Sequence, residues 1–290
     1  MPFTLSHPAA VIPLARGRMV PSALVVGSMA PDVPYFFSMG DLRGATHGPV
    51  GIVTIDLALG IGLFAAFHLV WKRPLVALAP EWARRRLAGP AGGFRRSMIL
   101  WVPPSLLAGT VTHVLWDAFT HRYHGFGEYM PWLPTTSFAG LETFRWLQYG
   151  SGLGGVAIIA WWCRRWIRRA PTTPQRQGAA HTPYTEAARW SVPRGNALGW
   201  WACLIASGAA GGVIGALTLI NQPDLPRTIH MTLASGVIGT ICGGIITLTV
   251  FGFLLLLRER PGLAEGENPM LVGPVPGSDM ETGPDGRRPE

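Results

Sequence analysis

The stretch IHMTLASGVIGTICGGIITLTVFGFLLLL, from Ile229 to Leu257, contains no Asp, Glu, Lys or Arg. About 20 mostly apolar helical residues cross a hydrocarbon core about 30 Å thick, so this stretch is long enough to span a bilayer. Working outward from it, four further runs read the same way: 50–71, 97–119, 146–163 and 197–220. Short connections rich in Arg, Gly or Pro separate them. Only 14% of the chain is charged, against about 25% in soluble domains, and 48% is hydrophobic. The sequence therefore predicts an all-α, polytopic transmembrane helix bundle of about five spans. It excludes a soluble enzyme, a disordered chain and a disulfide-stapled secreted module. Cys163, Cys203 and Cys242 lie in or beside apolar runs without CxxC spacing and read as small packed side chains.

The last two spans carry small residues every fourth position, Ser207-Gly211-Gly215 and Ser235-Gly239-Gly243. Such stripes let helix backbones approach closely, within the chain or between copies, so oligomerisation through these spans is an expectation. Pro103 and Pro104 are expected to kink the second span or to end a short half of it.

Charge sets the expected orientation. The net charge is +8, but the basic residues flank apolar runs, the pattern that decides membrane topology rather than nucleic-acid binding. The connection 72–96 holds Lys72, Arg73, Arg84, Arg85, Arg86, Arg95 and Arg96, and 164–196 holds Arg164, Arg165, Arg168, Arg169, Arg176, Arg189 and Arg194. The connection 120–145 offers Arg122 and Arg145, and 221–228 only Arg227. With five spans, both basic connections and the C-terminus are expected in the cytoplasm and the N-terminus outside.

The expected organisation is an N-terminal extracytoplasmic segment 1–49, a three-span core 50–163, a basic cytoplasmic linker 164–196, two Gly-rich spans 197–257 and a disordered cytoplasmic tail 258–290. No Lys or Arg precedes Arg16, and Pro31 follows the small-residue site at Ala30, which argues against a cleaved signal peptide. Pro8, Pro13, Pro21, Pro31 and Pro34 punctuate the first 36 residues, suiting an interfacial or re-entrant helical hairpin.

The chemistry concentrates in THVLWDAFTH, Thr112 to His121. On a helix His113 and Asp117 share a face, and His121 lies one turn on, displaced by about 80°. A second group is N-terminal: His7, Asp32 and His47, with Asp56 about two turns into the first span. The orientation set by Arg places both groups on the outer side. Intramembrane Asp and His are costly and face a cavity or a partner. From spacing alone three readings stay open: a metal site suited to Zn²⁺ or Mn²⁺, a structural polar network, or a proton or ion pathway. His68, about 18 Å along the helix from Asp56, reads as a packing histidine. His124, Glu128 and Glu142 read as solvated, and Trp116, Tyr123, Tyr129 and Trp132 as interfacial anchors. No Walker pattern or nucleophile elbow is present.

The opening MPFTLSHPAA, then Gly27-Ser28-Met29-Ala30-Pro31-Asp32, Thr46-His47, the 112–121 block and Leu147-Gln148-Tyr149-Gly150-Ser151 resemble a bacterial membrane family, the domain of unknown function 4184. The resemblance covers roughly residues 1–255 and extends distantly to YdjM-like inner-membrane proteins, described as metal-dependent hydrolases, and to zinc-dependent phospholipases C. It implies a metal site formed by His7, Asp32, His47, His113, Asp117 and His121.

The function expected is that of a membrane-embedded metal-dependent hydrolase of the bacterial inner membrane. Its cofactor would be a divalent metal, zinc or manganese, and Asp32 or Asp56 would orient water or accept its proton. The expected partners are membrane lipids and an amphiphilic substrate such as a lipid-linked phosphoester, with no nucleic acid. The alternatives are a non-catalytic membrane scaffold and an ion- or proton-coupled transporter.

Overall fold

A computed structural model describes residues 4–91, 96–120, 136–170, 192, 194–220 and 229–258, with backbone alone for 88–91, 194, 219–220, 229–231 and 258. Most of the expected linker 164–196, nearly all of the expected tail, and His121, His124, Glu128 and His181 lie outside the described residues.

Prolines divide the N-terminal segment into short helical turns: α1 (Pro8–Val11), α2 (Pro21–Gly27), α3 (Val33–Phe36) and α4 (Arg43–Thr46). Three of them begin with Pro at the first or second position, where the missing N–H costs no helical hydrogen bond. The first long helix, α5, runs continuously over Pro49–Leu78. It widens into π turns at Ile52–Asp56 and Phe67–Trp71. Pro74 lies just beyond the second widening, where its ring would otherwise meet the carbonyl four residues back.

After α6 (Glu81–Ala91), a 3-10 stretch Arg96–Trp101 runs into α7 (Val102–Thr120). Pro103 and Pro104 therefore start α7 rather than kink a span already under way. A short hairpin, β1 (Ser137–Phe138) with β2 (Leu141–Glu142), pairs antiparallel and leads into α8 (Thr143–Arg169). The helices α9 (Arg194–Ile220) and α10 (Ile229–Arg258) complete the chain's described part.

Among the described residues four helices are long and apolar enough to cross a membrane: Pro49–Leu78, Arg96–Thr120, Gly195–Thr218 and Thr232–Leu257. The expected span at 146–163 does form a helix, α8, but it is not one of the four. Its apolar run is bounded by Gln148 and Arg164, about 22 Å of helix at 1.5 Å per residue, which is short of a 30 Å core.

The two small-residue stripes meet each other. A Cβ on Gly211 would sit 2.1 Å from the Gly239 carbonyl oxygen, and one on Gly243 would sit 2.1 Å from that of Ser207. Glycine at these positions is what lets α9 and α10 run backbone to backbone. The pair then packs on the end of α5, where Trp200 stacks on Phe251 at 4.2 Å beside Ala77 and Leu78. The Trp71 indole donates to Thr249 Oγ1 at 2.8 Å. Leu198, Ile205 and Leu233 remain exposed, as the lipid-facing side of a bundle requires.

The N-terminal segment is part of the bundle rather than a cap on it. Val20, Ala23, Val102 and Leu106 form one buried cluster. A Cβ on Gly27 would lie 2.1 Å from the Leu106 carbonyl oxygen, and one on Gly109 would lie 2.3 Å from that of Leu24. Residues 106 and 109 are near the middle of the helical stretch Arg96–Thr120, so α2 lies beside the midsection of that helix.

Candidate metal centre

The buried face of α7 carries Ser105, Leu106, Gly109, Thr110, His113, Asp117 and Thr120, spaced three or four apart along one side. Three of its polar side chains stitch α2 to α7. The Val20 N–H donates to Ser105 Oγ at 2.9 Å, and Thr110 Oγ1 donates to the Gly27 carbonyl at 3.1 Å. His113 Nδ1 donates to the Ser28 carbonyl at 2.8 Å. The first of these bonds satisfies an N–H at the start of α2, and the other two satisfy carbonyls at its end, which no further helical turn reaches.

The chain then turns through Ala30–Asp32, which brings Asp32 beneath His113. Asp32 is buried, and Thr4 Oγ1 donates to its Oδ2 at 2.6 Å. Its other oxygen lies 3.5 Å from His113 Nε2. One helical turn in α4 sets Arg43 and His47 on a common face. His47 Nδ1 lies 3.0 Å from the Thr46 hydroxyl, which can donate to it, and 3.2 Å from the Arg43 carbonyl, to which it can donate. His47 Nε2 faces Asp117 Oδ2 at 3.3 Å. His113 Nε2 lies 3.6 Å from the same oxygen, and the Arg43 guanidinium donates to it at 2.8 Å.

Asp32, His47, His113 and Asp117 thus offer one ligand atom each, all within 4.8 Å of one another. Three of the four residues are buried. Two buried atoms of this group, His113 Nε2 and Asp32 Oδ1, have no hydrogen-bond partner among the described residues, although buried polar atoms are almost always satisfied. His113 spends Nδ1 on a backbone carbonyl and His47 sets Nδ1 against the Thr46 hydroxyl and the Arg43 carbonyl, while both turn Nε2 inward, as metal-ligating histidines held by outer-shell partners do. Two imidazoles with two carboxylates form a donor set suited to zinc or manganese.

His7 lies alongside rather than within this group. Its ring stacks on His113 with centroids 3.9 Å apart, and its Nε2 is 3.6 Å from Asp117 Oδ1. Asp56 is fully buried at the end of the first π turn, and neither of its oxygens has a hydrogen-bond partner among the described residues. His68 packs between Phe64 and Phe67 and bonds Ser22 Oγ at 3.0 Å, the packing role expected of it. His121 lies outside the described residues.

The sequence reading missed Arg43 and Thr4. Arg43 precedes His47 by four residues and Thr4 precedes His7 by three, spacings that share a face on a helix. Burial pushes the Asp32 carboxyl up, but the facing His113 and the Thr4 hydroxyl outweigh it and hold the carboxyl below its ordinary range. Burial likewise opposes the Arg43 charge, yet Asp117 and the Tyr35 hydroxyl hold its pKa above the usual value.

Comparison with known proteins gives one family. The family described as "Domain of unknown function (DUF4184)" matches residues 1–253. No curated protein and no solved structure matches the chain.

Proposed function

We propose, from the premise that the chain belongs to the domain of unknown function 4184 family, that Asp32, His47, His113 and Asp117 hold a divalent metal ion, zinc or manganese. On this reading the protein is a membrane-embedded metal-dependent hydrolase of the bacterial inner membrane. The supporting observation is the pair of inward Nε2 atoms on His47 and His113, both directed at Asp117 Oδ2, with the His113 ring fixed from behind by the Ser28 carbonyl.

Bound there, such an ion supplies Lewis acidity, lowering the pKa of water toward about 7 and polarising a phosphoryl or acyl oxygen. The chain's own groups do the rest. Thr4 fixes Asp32, the Ser28 carbonyl fixes the His113 tautomer, and the Thr46 hydroxyl and Arg43 carbonyl hold the His47 ring. Asp56, buried with neither oxygen bonded, is the carboxylate left to accept a proton. Asp32, expected to serve as ligand or base, acts as ligand in this arrangement. A site on the extracytoplasmic side, ligation by His7 and His121, and a lipid-linked phosphoester as substrate belong to the same proposal. So does the hydrolase activity that the resemblance to the YdjM-like proteins implies.

Metal analysis of the protein purified in detergent tests the reading. About one equivalent of zinc or manganese is expected in the wild type and is lost in His113→Ala and Asp117→Ala. A metal-free wild type removes it. The 2.8 Å Arg43–Asp117 pair favours a second reading, a structural polar network, which predicts that both variants lose stability with no metal in any sample.

A further inference from the structure

The close approach of α9 to α10 runs from Gly215 beside Ser235 to Ser207 beside Gly243, and there it ends. Two turns before Ser207, on the same face of α9, stands Trp200, and its ring stacks on Phe251. Around this pair of large rings the helices leave a groove of about 390 Å³, lined by Asn196, Gly199, Trp200 and Cys203 on α9 and by Phe251 and Leu254 on α10. We infer that this groove binds an anionic phospholipid of the surrounding bilayer, with an alkyl chain in the groove and the phosphodiester head toward the arginines at that end of the bundle. No residue of the groove belongs to the candidate metal centre, so the inference stands apart from the metal reading.

Depth and shape select an alkyl chain. The groove lies within the spans Gly195–Thr218 and Thr232–Leu257, where the medium is hydrocarbon rather than water. Its volume falls within the range of about 300–1,000 Å³ found for small-molecule sites. Phe251 forms a buried floor, whereas Cys203 is exposed and a Cβ on Gly199 would meet nothing within 4 Å, so the groove opens sideways to the bilayer. Asn196, its one amide, is the second residue of its span and therefore lies at the headgroup end. Ile241 flanks Thr4 and Tyr35 beside the metal centre. Phe251 is about 15 Å further along α10, so the groove belongs to the opposite end of the bundle.

Charge selects the head. Arg84 of α6 donates to the Ala77 and Ala79 carbonyls at 3.3 and 3.5 Å, and Ala77 packs with Phe251 in one buried cluster. Both of these partners are neutral, and Glu81 pairs instead with Arg85, so the Arg84 charge is left uncancelled beside the groove. Arg194 opens α9 and Arg258 closes α10, each about one turn or less from the lining. Basic pockets between membrane helices are where anionic lipid heads bind, and a guanidinium fork matches two oxygens of a phosphate. A zwitterionic lipid fills the groove equally well but brings its own cation to these arginines.

The test is native mass spectrometry of the delipidated full chain in detergent, titrated with dioleoyl phosphatidylglycerol or dioleoyl phosphatidylcholine. Wild type is expected to retain one phosphatidylglycerol, with an affinity about tenfold or more above that for phosphatidylcholine. Gly199→Phe and Cys203→Trp fill the groove from its open side and are expected to lose the bound lipid of either kind, with helix content by circular dichroism unchanged. Arg84→Gln combined with Arg258→Gln is expected to bring the two lipids to equal affinity and to leave phosphatidylcholine binding as in wild type. N-ethylmaleimide should label Cys203 in the lipid-free chain, and phosphatidylglycerol should protect it. Wild-type lipid retention in both groove variants overturns the inference, as does a wild type that retains no lipid or prefers neither. A Cys203 that stays unlabelled in the lipid-free chain also overturns it, because part of the chain itself then covers the groove.

Discussion

His113 Nδ1 lies 2.8 Å from the Ser28 carbonyl oxygen, and this single bond orients the whole site. It closes the end of α2, fixes the ring tautomer and leaves a fully buried Nε2 facing Asp32 and Asp117. A helix-terminal carbonyl and a candidate ligand are thereby satisfied by one proton.

Replacing His113 should be costly even without metal. His113→Ala leaves the Ser28 carbonyl buried without its partner, and an abandoned buried group costs about 1–3 kcal/mol. A thermal melt in detergent should show a clear drop relative to wild type in metal-free buffer. An unchanged melt would mean that the stitch between α2 and α7 contributes nothing.

Thr4 is expected to act through Asp32. Thr4→Val removes the 2.6 Å bond to Oδ2 and keeps the side chain's volume. Metal affinity should fall by about tenfold to a hundredfold, the usual effect of losing an outer-shell partner, with little change in fold. Competition against a chelator measures this, and an affinity equal to wild type counts against Asp32 as a ligand.

Asp32 also makes stability pH-dependent. Its carboxyl is held below its ordinary range in the folded chain. A depressed folded-state value contributes stability that is present above the unfolded value of about 3.9 and is lost as pH falls through the lower, folded one. The melting temperature should therefore decline as the medium is acidified below about pH 4, and Asp32→Asn should flatten that decline. Parallel acid profiles for the two proteins would contradict it.

The contact between α9 and α10 should tolerate no side chain at its centre. Gly211→Val places carbon where the Gly239 carbonyl already lies, 2.1 Å away, and overpacking of this kind costs about 1–3 kcal/mol or more. Gly199→Ala, on the same helix and open to space, is the control and should melt like wild type. Equal melts for both variants would show that the stripe does not hold the pair together.

The status of α8 decides the topology. If α8 crosses, with Arg164, Arg165, Arg168 and Arg169 reaching to the cytoplasmic interface, reporters fused after Ala170 and after Arg260 should both appear cytoplasmic. An extracytoplasmic signal at both points would mean either that α8 does not cross or that the expected sides are reversed.

Much of this protein was legible along the chain, because membrane helices must be long, apolar and nearly free of charge whatever their neighbours. The runs at 50–71, 97–119, 197–220 and 229–257 met that condition, and the run at 146–163 met it only in part. The small-residue stripes Ser207-Gly211-Gly215 and Ser235-Gly239-Gly243 were also readable, since a repeat of four is one helix face, but that they meet each other was not. His113 and Asp117 could be paired because both stand on one helix.

The remaining site could not be read in this way. Arg43, His47, Asp32 and Thr4 belong to short turns between prolines, where no periodicity says which direction a side chain takes. By itself the sequence determined an all-α membrane bundle and a store of imidazoles and carboxylates near its N-terminal half. Only the tertiary structure decided that Asp32, His47, His113 and Asp117 converge while His7 and Asp56 stand beside them, because that convergence depends on α2 lying against Gly109 of α7. Such close approach is set by complementary packing between segments far apart in the chain, which no local pattern encodes.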